Sequence, residues 1–107
     1  MKEFYTVVLD RLTTFNGTLE SEPYEAGWAE EAIAFVRIHS MEKDAKVSFR
    51  IQISPDGIIW ADTESRKESI EEEGVYYSKI REFGGWLRLV VESEKEIKVT
   101  TYFALKG

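Results

Sequence analysis

The chain of 107 residues contains no cysteine, which excludes disulfides, thiolate metal sites and thiol nucleophiles. It has one histidine, His39, so no histidine pair is available to hold a metal, and a Ser-His-Asp arrangement has one residue through which to form. Side-chain amides are nearly missing as well, with Asn16 and Gln52 the two examples. Long apolar runs are absent, and the amino-terminal stretch MKEFYTVVLDRL breaks its apolar segment with Asp10 and Arg11, which predicts neither a signal-peptide core nor a membrane span. Basic charge is in deficit: twenty acids against fourteen bases give a net charge of -6, which disfavours a phosphate backbone as partner. These absences predict a soluble, cytoplasmic or virion-like, non-enzymatic chain with no cofactor and neither nucleic acid nor membrane as partner. Sixteen of the acids are Glu, and this Glu/Lys-rich, amide-poor usage resembles that of chains from hot environments.

What is present is β pattern. In KVSFRIQIS, Val47, Phe49, Ile51 and Ile53 alternate with Ser48, Arg50, Gln52 and Ser54, a period of two that predicts one apolar row on a core and one polar row in water. Pro55-Asp56-Gly57 follows with a preset φ, a local side-chain acceptor and a site for positive φ, which is turn chemistry. Phe4 to Leu12 reads as a first strand. Asn16-Gly17 favours a tight hairpin, from which Leu19 onward folds back as a second strand. Glu20 to Glu31 reads as a long connection, and Ile33 to Ile38 as a buried strand. Asp62 to Glu73, the most charged segment, is either an exposed edge or a loop. Val75 to Arg81, Trp86 to Glu92 and Ile97 to Leu105 read as three further strands, separated by Gly84-Gly85 and by Ser93-Glu94-Lys95. The pattern predicts an all-β fold with about eight strands, a single antiparallel β-sandwich of jelly-roll type spanning residues 1–107 as one domain.

Candidate chemistry is sparse. His39 lies on a predicted strand between Ile38 and Ser40 and reads as a surface or edge residue rather than a catalytic one. Glu71, Glu72 and Glu73, with Asp56 and Asp62, are oxygen donors of the type calcium uses, but adjacent residues on an extended chain point to opposite faces, so a solvated charge run is the simpler reading. Aromatics are the richer class. Trp28, Trp86, Tyr76 and Tyr24 are the candidate ligand-binding residues, offering flat apolar surfaces with polar tips on which a sugar ring or a partner chain could stack. Trp60 reads as core packing, and one of Tyr76 and Tyr77 must face outward if their segment is a strand.

Phe49-Arg50-Ile51-Gln52-Ile53-Ser54-Pro55-Asp56-Gly57 with Trp60, followed by Gly85-Trp86-Leu87-Arg88-Leu89, resembles the Ser-x-Asp-Gly-x-x-Trp pattern of discoidin-type jelly rolls. It also resembles small β-sandwich proteins encoded among structural genes of bacteriophages and prophages. The chain departs from discoidin domains in being shorter and in lacking cysteines. What the resemblance implies is a tight turn with a tryptophan packed beneath it, which is scaffold rather than site. Two functional expectations follow: a structural or interaction subunit that meets copies of itself or another protein, as in a phage-like assembly, or a carbohydrate-binding module whose exposed aromatics take a glycan.

Overall fold

The computed structural model describes residues 4–107, so the first three residues of the stretch inspected for a leader lie outside the described residues. Among the described residues seven strands run antiparallel: β1 (Phe4–Glu20), β2 (Tyr24–Glu25), β3 (Glu31–Met41), β4 (Val47–Ser54), β5 (Ala61–Ile70), β6 (Gly74–Arg81) and β7 (Trp86–Lys106). The fold is an all-β sandwich of jelly-roll type, closed enough to be barrel-like, with every strand in one continuous sheet.

β7 organises it. A straight 21-residue strand would reach about 70 Å, whereas the longest dimension of the molecule is 44 Å, so β7 must bend. Its first part, Trp86 to Ser93, pairs with β4, and its second, Ile97 to Lys106, pairs with β3, while β1 follows it along most of its length. The bend is accompanied by irregularities on both sides of the ladder: β1 carries an extra residue between Val8 and Asp10 and again between Asp10 and Thr13, β3 carries one between Ile38 and Ser40, and β7 itself carries two between Ser93 and Ile97, opposite Gly17 and Phe15. Each half of β7 thereby becomes the middle of one layer, β5-β4-β7-β1 on one side and β6-β3-β7-β1 on the other.

The core lies between the layers. Val47, Phe49, Ile51, Leu87, Leu89 and Val91 point in from the first layer, and Ala34, Val36, Ile38, Val99, Phe103 and Leu105 from the second, all buried. The layers meet again at the free edges of β5 and β6, where the Ser65 hydroxyl donates to the Lys79 carbonyl at 2.7 Å and pairs with the Ser78 hydroxyl at 2.6 Å. Side chains rather than a backbone ladder close the barrel there.

Two sequence expectations are corrected and one open alternative is decided. Asn16-Gly17 does not turn the chain: Gly17 has φ +90° but sits at a bulge, and β1 continues through it to Glu20. Local turn propensity is overridden because Gly17 to Glu20 finds a ready partner in Ser93 to Val90 of β7. Ser93-Glu94-Lys95 does not end a strand, since it holds neither glycine nor proline and no residue there has positive φ; two predicted strands are therefore one, and seven are observed where about eight were counted. Asp62 to Glu73, left open between edge and loop, is mostly the edge strand β5, which ends at Ile70.

Candidate functional site

Four surface features emerge from this scaffold. The first is an open hollow of about 490 Å³ lined by Phe4, Tyr5, Tyr24 and Trp28. It forms because Tyr24 is in register with Leu87 near the start of β7 while Phe4 is in register with Lys106 at its end, and the bend of β7 brings those two ends together. Trp28 is held against the carboxyl terminus, where Glu30 N–H donates to the Lys106 carbonyl at 2.8 Å and the Trp28 ring packs on Gly107. Phe4, Tyr5 and Trp28 are exposed, and the Lys106 ammonium lies 5.5 Å from the Phe4 ring. The hollow unites two of the four candidate aromatics, Tyr24 and Trp28, and adds Phe4 and Tyr5, which period-two reading assigned to a first strand without a role.

The other two candidates lie elsewhere. Trp86 is half-buried, in register with Glu25 on one side and Ser54 on the other, and its ring lies directly under Gly57. The tryptophan beneath the Pro55-Asp56-Gly57 turn is thus Trp86. Trp60 instead stacks on the Arg88 guanidinium, 4.6 Å from its ring centroid, and is half-buried rather than a core residue. Tyr76 turns toward the core edge and donates its hydroxyl to the Glu72 carbonyl at 2.8 Å, so the outward tyrosine of the pair is Tyr77, 54% exposed.

The second feature is that turn. Ser54 Oγ accepts from Asp56 N–H and Gly57 N–H at 3.2 and 2.8 Å, and Asp56 Oδ1 accepts from Ile58 N–H and Ile59 N–H at 2.8 and 3.0 Å. The backbone N–H groups of Ile59 and Ile58 hold the Asp56 carboxyl below its ordinary range. Two side chains thus fix a loop that presents Ile58 and Ile59, the most exposed apolar residues of the described chain.

The third feature covers the outer face of β4, β5 and the first half of β7. Asp62 accepts from Gln52 at 2.7 Å and from Arg50 at 2.9 Å, which lowers its pKa, and Arg50 also pairs with Glu92. Arg88 donates to Gln52 Oε1 at 2.6 Å and pairs with Glu20 at 3.1 Å. Gln52 and Ser54, read from periodicity as water-facing, are buried because this network and the turn cover them. The donors and acceptors here satisfy one another, which makes this face structural.

The fourth feature is the outer face of the opposite layer, and the register fixes it row by row. Val8, Tyr102, Phe35 and Tyr77 lie directly across from one another on β1, β7, β3 and β6. Phe35 and Tyr77 touch, with ring centroids 6.3 Å apart. Thr6, Ala104, Ile33 and Lys79 form the row to one side, and Thr100, Arg37 and Val75 the row to the other. A shallow hollow of about 420 Å³ runs among Thr6, Phe35, Arg37, Val75 and Tyr102. Sequence reading placed Phe35 in a buried strand and left Tyr102 unremarked. The pairing that aligns these residues joins segments far apart in the chain, so no local signal carries it.

His39 sits at the β3 bulge, half-buried, with Nε2 2.7 Å from Thr100 Oγ1 and, among the described residues, no carboxylate bonded to it. Among the described residues no group of three or more His, Asp or Glu side chains is placed to hold a metal ion. Asp56 is engaged by its own turn and Asp62 by Arg50 and Gln52, so the acids considered for calcium are not brought together. Among the described residues no helix is long and apolar enough to cross a membrane.

No protein-family model matches the sequence, and no curated protein matches it either. Solved structures do match in fold. The SPBc2 prophage-derived protein YomS aligns with the whole chain and with 96% of its own, at a TM-score of 0.63 and 13% identity. The VP2 subviral particle of infectious bursal disease virus aligns with 98% of this chain, at TM-score 0.67 and 12% identity, although this chain spans 32% of the viral one. A family two carbohydrate esterase from Cellvibrio japonicus aligns at TM-score 0.50 and 11% identity over 98% of this chain and 34% of its own. At these identities the likeness is one of fold.

Proposed function

We propose that this chain is a non-catalytic structural or interaction subunit that works through protein association, of a kind suited to a phage-like particle. The observation that carries this reading is the cross-sheet row Val8, Tyr102, Phe35 and Tyr77, an apolar line on an outer face with Val75 and Ile33 beside it. Outer faces of a monomeric sandwich normally carry polar residues, as the opposite face does, and aromatic rings with a charged surround are the anatomy of a binding surface. The fold shared with a prophage-derived protein and with a subviral particle protein supports the same reading. Neither nucleic acid nor membrane is called on as partner.

Sedimentation of the purified protein across a wide range of concentrations tests it. An assembly that survives dilution, and that a Tyr77→Ser substitution dissociates, is the expected result; a monomer throughout would overturn it. A second reading, glycan binding, has its own observation in the open hollow of Phe4, Tyr5, Tyr24 and Trp28. Its test is a tryptophan fluorescence titration with oligosaccharides, in which the signal must vanish in Trp28→Ala.

A further inference from the structure

The apolar row lies inside a border that is almost wholly cationic. On the same face, rows outward from Phe35 carry Lys79 beside Ile33, then Lys106, Glu31 and Arg81 in mutual register, and in the other direction Arg37, then Lys98. Five cations stand against one carboxylate, on a chain whose net charge is -6. Arg37, Lys79 and Arg81 are exposed, and among the described residues none of the five is within ion-pair distance of an acid. Two copies of this face laid on each other would oppose five cations to five, so the face is not self-complementary.

The same chain supplies what the face lacks. At the β5–β6 corner Glu68, Glu71, Glu72 and Glu73 are exposed. Glu68 pairs with Arg66 at 3.5 Å and Glu71 with Lys46 at 3.9 Å, while Glu72 and Glu73 have no ion-pair partner among the described residues. Four strands about 4.8 Å apart and five rows about 7 Å apart give the basic face roughly 670 Å², most of the roughly 800 Å² per partner of a standard interface. We infer that the β1-β7-β3-β6 face docks a second copy of this chain by its acidic β5–β6 corner, with Phe35, Tyr77 and Tyr102 at the centre and the cations around them. The contact is heterologous, so repeated copies close into a ring or extend as a filament rather than stop at a two-fold dimer. This inference rests on the association reading above and adds its polarity.

Two charge-reversed proteins and the wild type test it by sedimentation: Arg37→Glu/Lys79→Glu on the face and Glu72→Lys/Glu73→Lys at the corner. All four positions are exposed, and matching thermal midpoints establish that each variant is folded. The wild type is expected to assemble, more weakly at 0.5 M than at roughly 0.1 M salt because exposed charges are screened. Each variant alone is expected to associate at least tenfold more weakly, and an equimolar mixture to assemble again, since an intact face meets an intact corner at one junction and charges of exchanged sign meet at the other. A corner variant that assembles like the wild type overturns the inference while leaving association standing. A wild type that is monomeric at every concentration removes both. A monomer that binds a single-stranded oligonucleotide would give the face to nucleic acid instead.

Discussion

Replacing Gly57 by alanine probes the junction between the turn and the sheet, and the structure gives two separable contributions. Gly57 has φ +79°, where an L residue is disfavoured by about 1–2 kcal/mol. Its added Cβ would also lie 3.1, 3.2 and 3.3 Å from Cδ2, Cε3 and Cε2 of Trp86, inside the 3.5–4.0 Å of an ordinary carbon contact. The Trp86 backbone is held on both sides, by Glu25 and Ser54, so relief must come from the ring or the turn, and such overpacking destabilises by about 1–3 kcal/mol. Together about 2–5 kcal/mol is expected. For a domain of this size each kcal/mol lowers Tm by roughly 4–8 °C. Gly17→Ala is the control, because Gly17 has φ +90° and no atom within 4 Å of its added Cβ; it bears only the backbone contribution. Urea unfolding of both variants, with unchanged m values, should place Gly57→Ala below Gly17→Ala by about 1–3 kcal/mol, and the gap should close in a Trp86→Leu background. Equal losses at the two glycines would refute the account of Trp86 as the ring under the turn.

Phe103→Ala should lower unfolding free energy by about 3–5 kcal/mol, since the side chain is wholly buried between the layers, and chemical denaturation measures it directly. Arg88→Ala removes the stack on Trp60, the bond to Gln52 and the pair with Glu20; a loss of about 1–3 kcal/mol and a shifted Trp60 emission are expected. Acid should weaken the protein through Asp56 and Asp62, whose folded-state pKa values lie below the ordinary 3.8: the stability they contribute is complete above that value and is lost as pH falls through their folded values. Asp10 has the opposite sign. Burial raises its pKa, so its ionisation disfavours the folded state as pH rises through the raised value. Urea midpoints between about pH 2 and 7 should therefore show Asp56→Asn flattening the acid limb and Asp10→Asn gaining relative stability toward neutral pH.

Much of the strand content was legible because it rests on neighbours in sequence. Val47, Phe49 and Ile51 alternate, and they are buried as alternation requires; the Ser54 to Gly57 turn is readable because its acceptors lie two or three residues from the N–H groups they bind. The same local logic failed at Asn16-Gly17, where a turn signal lost to a strand partner more than seventy residues away. It failed again at Gln52 and Ser54, whose burial depends on Asp62, Arg88 and the turn rather than on their own face of the strand.

Of the candidate site, composition alone could say that aromatics were plentiful and catalytic groups few. Which aromatics meet was settled by the bend of β7, which draws Phe4 and Tyr5 to Tyr24 and Trp28, sends Trp86 under Gly57, and lines Val8, Tyr102, Phe35 and Tyr77 across four strands. A period of two assigns each side chain to a face of its own strand, and the sequence by itself determines that much. Which strands lie beside one another, and hence where rings and charges gather, depends on long-range register, which only the folded sandwich decides.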